Sequence, residues 1–276
     1  MNIEYEADIQ YILAKRHEPG GDYWATADGR LMKGSPFTTL DCALMLVDLG
    51  MDRDDPVLRG TAELIFSKLR DDGRFRLSPD GAIYPCQTIN AVRTLCYLGY
   101  DADTRLQVTW EHLLGAQYKD GGWRCNKFSF GHGPETEFSN PGPTLSALDA
   151  FRFTPFLNRE GGLNKAVEFL LNHWTVRSPI GPCHYGIGSL FMQVTYPFSS
   201  YNLFFYTYVL SFYGQAKADP RFMEALACLK AKLAGGNIMV ERQNPGLKAL
   251  AAYKKGAISP IGTLRYREIL QNLGQG

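Results

Sequence analysis

A repeat limits the fold of this chain more than any other feature. Apolar stretches of helical period begin near Val57, Arg105, Leu163 and Arg221, at intervals of 48, 58 and 58 residues, and an earlier copy begins near Ile3. In R-L-Q-V-T-W-E-H-L-L-G-A-Q from Arg105, the positions Leu106, Thr109 with Trp110, and Leu113 with Leu114 form one stripe at helical spacing. The stretch from Leu163 does the same through Ala166, Val167, Leu170 and Trp174. Units of this kind cannot bury their apolar faces alone, so they stack on their neighbours.

Each amphipathic stretch runs into a glycine turn that carries an aromatic residue. The turns are G-G-D-Y-W ending at Trp24, D-D-G-R-F ending at Phe75 and D-G-G-W ending at Trp123. Glycine supplies the positive φ that ends a helix. A second type of helix follows each turn: T-T-L-D-C-A-L-M-L-V-D-L-G to Gly50, P-C-Q-T-I-N-A-V-R-T-L-C-Y-L-G to Gly99, P-T-L-S-A-L-D-A-F-R to Arg152, and S-S-Y-N-L-F-F-Y-T-Y-V-L-S-F-Y-G to Gly214. These are more uniformly apolar, so burial on most sides is expected. Outer amphipathic helices alternating with inner buried ones predict an all-α, α/α barrel or solenoid of about five to six helical hairpins. The stretch N-P-G-L-K-A-L-A-A-Y and a last helix from about Thr263 to Leu273 are candidates for further members. No linker rich in Pro, Gly or Ser interrupts the pattern, so residues 1–276 read as a single domain.

Composition bounds the function. Hydrophobic residues make up 45% and charged residues 21%, which suits a globular chain with a sizeable core. Net charge is +1, so the overall field favours neither nucleic acid nor an anionic membrane, and no nucleic-acid partner is expected. There is no apolar run of 18 residues to make a spanning helix. The start M-N-I-E-Y-E-A-D lacks the basic and apolar regions of a signal peptide, so the expected location is cytoplasmic. There the six cysteines would be thiols or metal ligands.

The outer-helix, D-G-G-W, inner-helix repeat resembles the prenyltransferase and squalene-oxidase repeat family, which includes terpenoid cyclases and protein prenyltransferases. The later block, G-P-C-H-Y-G-I-G then Y-P-F-S-S-Y-N, looks like a bacterial branch of it. The resemblance covers nearly the whole chain. It implies an (α/α) toroid whose inner helices surround a central cavity. It further implies that a hydrophobic, isoprenoid-like small molecule is bound or transformed there. Whether the chain is an enzyme stays open; if so, the resemblance implies a transferase, lyase or isomerase. Five hairpins are fewer than a closed ring of six, and the C-terminal helices or the second subunit of a homodimer would fill the gap.

The family's catalytic motifs are not reproduced. The run Asp52-Arg53-Asp54-Asp55 spells the D-x-D-D acid of class II cyclases, but it follows an inner helix and opens an outer one. There, aspartates cap free N–H groups and Pro56 fits the first helical position. In the family, the acid falls at the start of an inner helix. At T-T-L-D-C-A, Asp41 takes the last aspartate, Leu40 the proton donor and Thr38 the first aspartate. Leucine cannot protonate an alkene. Prenyltransferase zinc uses an Asp and a Cys two residues later, whereas Asp41 and Cys42 are adjacent and point about 100° apart on a helix. No D-D-x-x-D is present, and the inner helices offer only Arg93 and Arg152 to a diphosphate.

Candidate site residues therefore come from the long loops and inner-helix starts. Cys86, Cys125, Cys183 and His184 form a thiolate-rich set for zinc, weighed against unrelated, partly buried thiols, because no C-x-x-C supports it. Tyr201, Phe204, Phe205, Tyr208 and Phe212 share one predicted helical face. That face is either core or an apolar lining with a few hydroxyls. Asn90, Ser146, Tyr196 and Asn202 would complete a substrate-binding set with Phe205 and Tyr208. Asp41, His132, Glu135 and Tyr201 are the catalytic candidates; His132 and Glu135 lie in F-G-H-G-P-E-T-E-F, read as a lid with a base and an acid or as a solvated loop. Two other functions compete with the isoprenoid one. One is a non-catalytic interaction module. The other is a polysaccharide-active α/α-barrel enzyme, which predicts exposed Trp and a close carboxylate pair.

Overall fold

A computed structural model describes residues 5–198 and 200–275. Those residues are all-α: they form helices, short 3₁₀ turns and isolated bridges, with no β-strand among them. The helices are α1 (Glu6–Ala14), α2 (Thr39–Asp48), α3 (Pro56–Phe66), α4 (Pro85–Tyr97), α5 (Gln107–Gly115), α6 (Pro141–Phe151), α7 (Gly161–Val176), α8 (Leu203–Leu210), α9 (Gly214–Lys217), α10 (Pro220–Lys230) and α11 (Pro260–Asn272). No helix of the described residues is long and apolar enough to cross a membrane.

Helix starts follow local chemistry. Thr38 caps α2 by accepting the Asp41 N–H at 3.1 Å, and Asn202 caps α8 by accepting the Phe205 N–H at 3.0 Å. Proline opens α3, α4, α6, α10 and α11, where a missing N–H costs nothing. The D-R-D-D run is such a start. Asp55 accepts the Val57 N–H at 2.8 Å and Asp52 accepts the Asp54 N–H at 3.0 Å, so both tie the turn that begins α3.

The described residues fall into two compact units. The first runs to Leu113 and includes Asn244–Lys254; the second is Leu114–Gln243 with the chain from Lys255. In the first, α2 packs against α4, and α3 packs on both. Asp8 of α1 accepts the N–H groups of Ala251 and Ala252 at 3.0 and 2.8 Å, which fastens the 244–254 segment. That segment holds 3₁₀ turns at Pro245–Leu247 and Ala251–Tyr253 rather than the further helix its apolar residues suggest. In the second unit, α7 packs on α6, while α8 is flanked by α6, α10 and α11. All eight residues of α8 are buried, as its uniformly apolar sequence predicts.

One contact recurs where the long loops meet the second type of helix. A buried loop residue is hydrogen-bonded to the start of the helix that follows. The Thr39 N–H donates to Leu31 O at 3.1 Å, and the Phe75 N–H to Thr88 Oγ1 at 3.1 Å. The Trp123 N–H donates to Thr144 Oγ1 at 3.0 Å, the Leu203 N–H to Phe191 O at 2.8 Å, and the Ile238 N–H to Thr263 Oγ1 at 3.1 Å. By this contact α11 stands with α2, α4, α6 and α8, although it leaves Leu264 60% exposed. The first copy is anchored by Leu31, not by the aromatic of its glycine turn. Trp24 is buried elsewhere, its Nε1–H donating to the Ile12 carbonyl near the end of α1.

Candidate ligand-binding site

The aromatic face of α8 is the richest constellation in the second unit. Phe204, Phe205 and Tyr208 belong to α8 and are buried, and Tyr196 reaches them from the preceding loop. Phe198 joins these rings. It stacks on Phe205 (centroids 5.0 Å apart, planes at 29°) and on Tyr208 (5.1 Å, 28°), and meets Phe204 and Tyr196 edge-on at 5.0 Å. It is only partly buried. Three of the residues expected to bind substrate, Tyr196, Phe205 and Tyr208, thus meet around a residue that sequence periodicity does not mark, because Phe198 lies outside the helix. Such offset and edge contacts are favourable for aromatic rings of any origin.

Polar groups close one end of this surface. The Tyr208 hydroxyl donates to Glu268 Oε2 at 2.8 Å, and Arg265 lies 3.3 Å from the same oxygen. Arg152 Nε donates to the fully buried Asp149 at 2.7 Å, and its guanidinium lies 4.5 Å from the Phe212 ring centroid. A buried guanidinium that is both ion-paired and set against aromatic faces is held firmly. The Tyr213 hydroxyl donates to Leu148 O at 2.6 Å, and burial raises its pKa well above the ordinary tyrosine value.

Tyr201 departs from the expected pattern. Asn202 is the cap and α8 begins at Leu203, so Tyr201 precedes the helix and does not share the face of Phe205 and Tyr208. Its ring meets Phe191, Tyr185 and Tyr206, and its hydroxyl lies 2.9 Å from His173 Nδ1. His173 Nε2 is 3.2 Å from the Ser178 carbonyl, which can only accept. Nε2 therefore carries the proton, and Nδ1 accepts from Tyr201. Burial pulls the His173 pKa down to about 4, against the Ser178 carbonyl, which favours the charged form. The sequence places His173 on an outer helix, and nothing in its spacing points to this partner. The Tyr201 pKa is raised well above the ordinary value by burial. A tyrosine that holds its proton, backed by a histidine that resists taking one, positions a ring well and transfers protons poorly.

The loop over the start of α6 carries the other expected groups. Glu135 accepts the N–H groups of His132 and Gly133 at 3.0 and 2.9 Å. The Gly133 N–H, first among these donors, holds the Glu135 carboxyl below its ordinary range. Its visible work is to shape its own loop, while the His132 side chain is exposed. Cys183 Sγ donates to the Cys125 carbonyl at 3.2 Å, and His184, the next residue, is exposed with φ at 58°. Cys86 belongs to the first unit, on α4. Among the described residues no three His, Cys, Asp or Glu side chains gather as a metal ion would need.

Other expected residues have local roles at helix starts or lie along helices. Asp41 is in the first turn of α2, where the Thr38 hydroxyl donates to its Oδ2 at 2.7 Å. Burial raises the Asp41 pKa, opposed by Thr38 and by the charge of Arg93. Asn90 is on α4 and Ser146 on α6, both half-buried. The Asn202 amide serves as cap, its Nδ2 donating to Ser200 O at 2.8 Å while its Oδ1 accepts from Phe205. No protein-family model matches this chain, and no curated protein matches it.

Proposed function

We propose that the second unit binds a flat, hydrophobic, isoprenoid-like small molecule against the aromatic face of α8. The observation that carries this reading is Phe198, stacked on Phe205 and Tyr208 from a loop and only partly buried. A ring that covers an aromatic face from outside the helix occupies the position a flat apolar ligand would take. Tyr208, Glu268 and Arg265 offer hydrogen bonds at one end to a ligand hydroxyl or carbonyl. Zinc is not part of this proposal, and neither is proton transfer by Tyr201. The recurring loop-to-helix anchor, found five times among the described residues, is what a toroid of five hairpins would need, so the expected (α/α) toroid belongs to the same reading.

The test is a titration with a fifteen-carbon isoprenoid alcohol, followed by quenching of intrinsic fluorescence. Saturable binding is expected, tightened several-fold in Phe198→Ala and weakened in Phe198→Trp. Absence of saturation, or equal affinity in all three proteins, contradicts the proposal.

A second reading, a module that docks another macromolecule, has one observation in its favour. Phe128 and Phe130 stack on each other at 5.5 Å and are 50% and 61% exposed. A sugar-binding reading has less support, because all four tryptophans, Trp24, Trp110, Trp123 and Trp174, are buried and offer no stacking platform.

A further inference from the structure

Two loops of the second unit are joined around a pair of thiols. The Phe130 N–H donates to Pro182 O at 3.0 Å, and the Gly181 N–H to Glu135 O at 2.9 Å. These bonds hold the turn 180–185 against the loop 124–138. Between them Cys183 Sγ sits 3.2 Å from the Cys125 carbonyl and 3.6 Å from the Phe128 carbonyl. Asn140 completes the cluster. Its Oδ1 accepts the Cys125 N–H at 2.6 Å, and its side chain is fully buried. Its Nδ2 makes no hydrogen bond of normal geometry and faces the Gly181 turn, where an added Cβ would lie 3.1 Å from it. A buried amide donor left over beside a sulfur is ready to stabilise negative charge there. Burial raises the Cys183 pKa above the ordinary thiol value; the Phe128 backbone opposes this, the nearby Cys125 sulfur adds to it, and the Asn140 side chain lowers it by the least.

We propose that Cys125 and Cys183 form a reversible two-cysteine redox site, with Cys183 as the attacking thiol and Cys125 as the resolving one. Access sets the roles, since Cys183 is half-buried and Cys125 is 1% exposed. The oxidant is a low-molecular-weight disulfide. Cys183 loses its proton and its thiolate attacks one sulfur of the oxidant, breaking the S–S bond and expelling one thiolate, which takes up a proton. Cys125 then loses its proton and attacks Cys183 Sγ, expelling the second thiolate, which is protonated in turn. The protein pair gives up two electrons and two protons, and the small disulfide becomes two thiols. Hydrogen bonds tie the two loops on both sides of the pair, which keeps the two cysteines in neighbouring segments while the bond forms.

The test uses reduced full-length protein in chelator-containing buffer, incubated with oxidised glutathione, then thiol titration and peptide mapping. The expected result is loss of two of the six thiols, a Cys125–Cys183 cross-linked peptide, no retained glutathione, and full reversal by dithiothreitol. Cys125→Ser should keep glutathione on Cys183, and Cys183→Ser should take none at Cys125. Retention of all six thiols, a cross-link between other cysteines, or glutathione that stays on Cys183 in the wild-type protein overturns the proposal. The wild-type map decides the matter even where a variant folds poorly.

Discussion

The Trp123 N–H donates to Thr144 Oγ1 at 3.0 Å, and the Asn140 N–H donates back to the Trp123 carbonyl at 3.0 Å. This reciprocal pair fixes the end of the D-G-G-W turn to the first turn of α6, with the indole fully buried. Thr144→Val keeps the shape and removes the acceptor, leaving a buried N–H without a partner. A loss of about 1–3 kcal/mol is expected in urea unfolding. Thr144→Ser should recover most of it, and equal stability of the Val and Ser variants would show that the bond contributes nothing.

Gly121 precedes this anchor with φ at +89°, and a Cβ there would lie 2.4 Å from Lys165 Cβ and 2.7 Å from the Lys165 carbonyl carbon. Gly34 also has positive φ, +91°, but nothing lies within 4 Å of its Cβ position. Alanine at Gly34 should cost only the conformational strain, about 1–2 kcal/mol. Alanine at Gly121 should cost clearly more, because α7 must shift. The two midpoints of chemical denaturation separate strain from collision.

His173 titrates far from its unfolded value. Its folded pKa is about 4, against 6.5 for the unperturbed imidazole. Between those values the unfolded chain binds more protons than the folded one, so stability falls as pH falls. The contribution is complete above pH 6.5 and is lost by about pH 4, amounting to about 3 kcal/mol. His173→Gln keeps a polar partner for Tyr201 without the titration. The wild-type minus variant stability should therefore slope through this window, and a flat difference would show that His173 does not titrate as described.

Asp55 holds the start of α3 through the Val57 N–H. Asp55→Ala should lower stability by about 1 kcal/mol and leave ligand affinity unchanged. A folded variant that no longer binds would return the D-R-D-D run to the functional residues.

Much of this architecture is legible in the sequence, for physical reasons that differ by element. The alternation of one-sided and buried helices is readable because period and burial act along the chain. Asp55 with Pro56 is readable because capping is local. The anchors are harder to see. Thr88, Thr144 and Thr263 each stand three residues after a proline, at Pro85, Pro141 and Pro260, so a P-x-x-T signal is present and would have assigned α11 with its counterparts. Leu31 escapes notice because Trp24 is the more conspicuous residue. The site was less legible than the fold. Phe198 is a loop residue whose importance rests on contact with Phe205 and Tyr208, and Tyr201 reaches His173 across 28 positions. Neither relationship has a local pattern to announce it.

On the proposed reading, a flat apolar ligand binds at the face of α8 covered by Phe198. Amide hydrogen exchange with and without a saturating isoprenoid alcohol tests it most directly. The prediction is added protection at residues 194–198 and along α8, with little change in α2 and α4. Protection confined to the Phe128–Phe130 loop or to the first unit, or none at all, would contradict it.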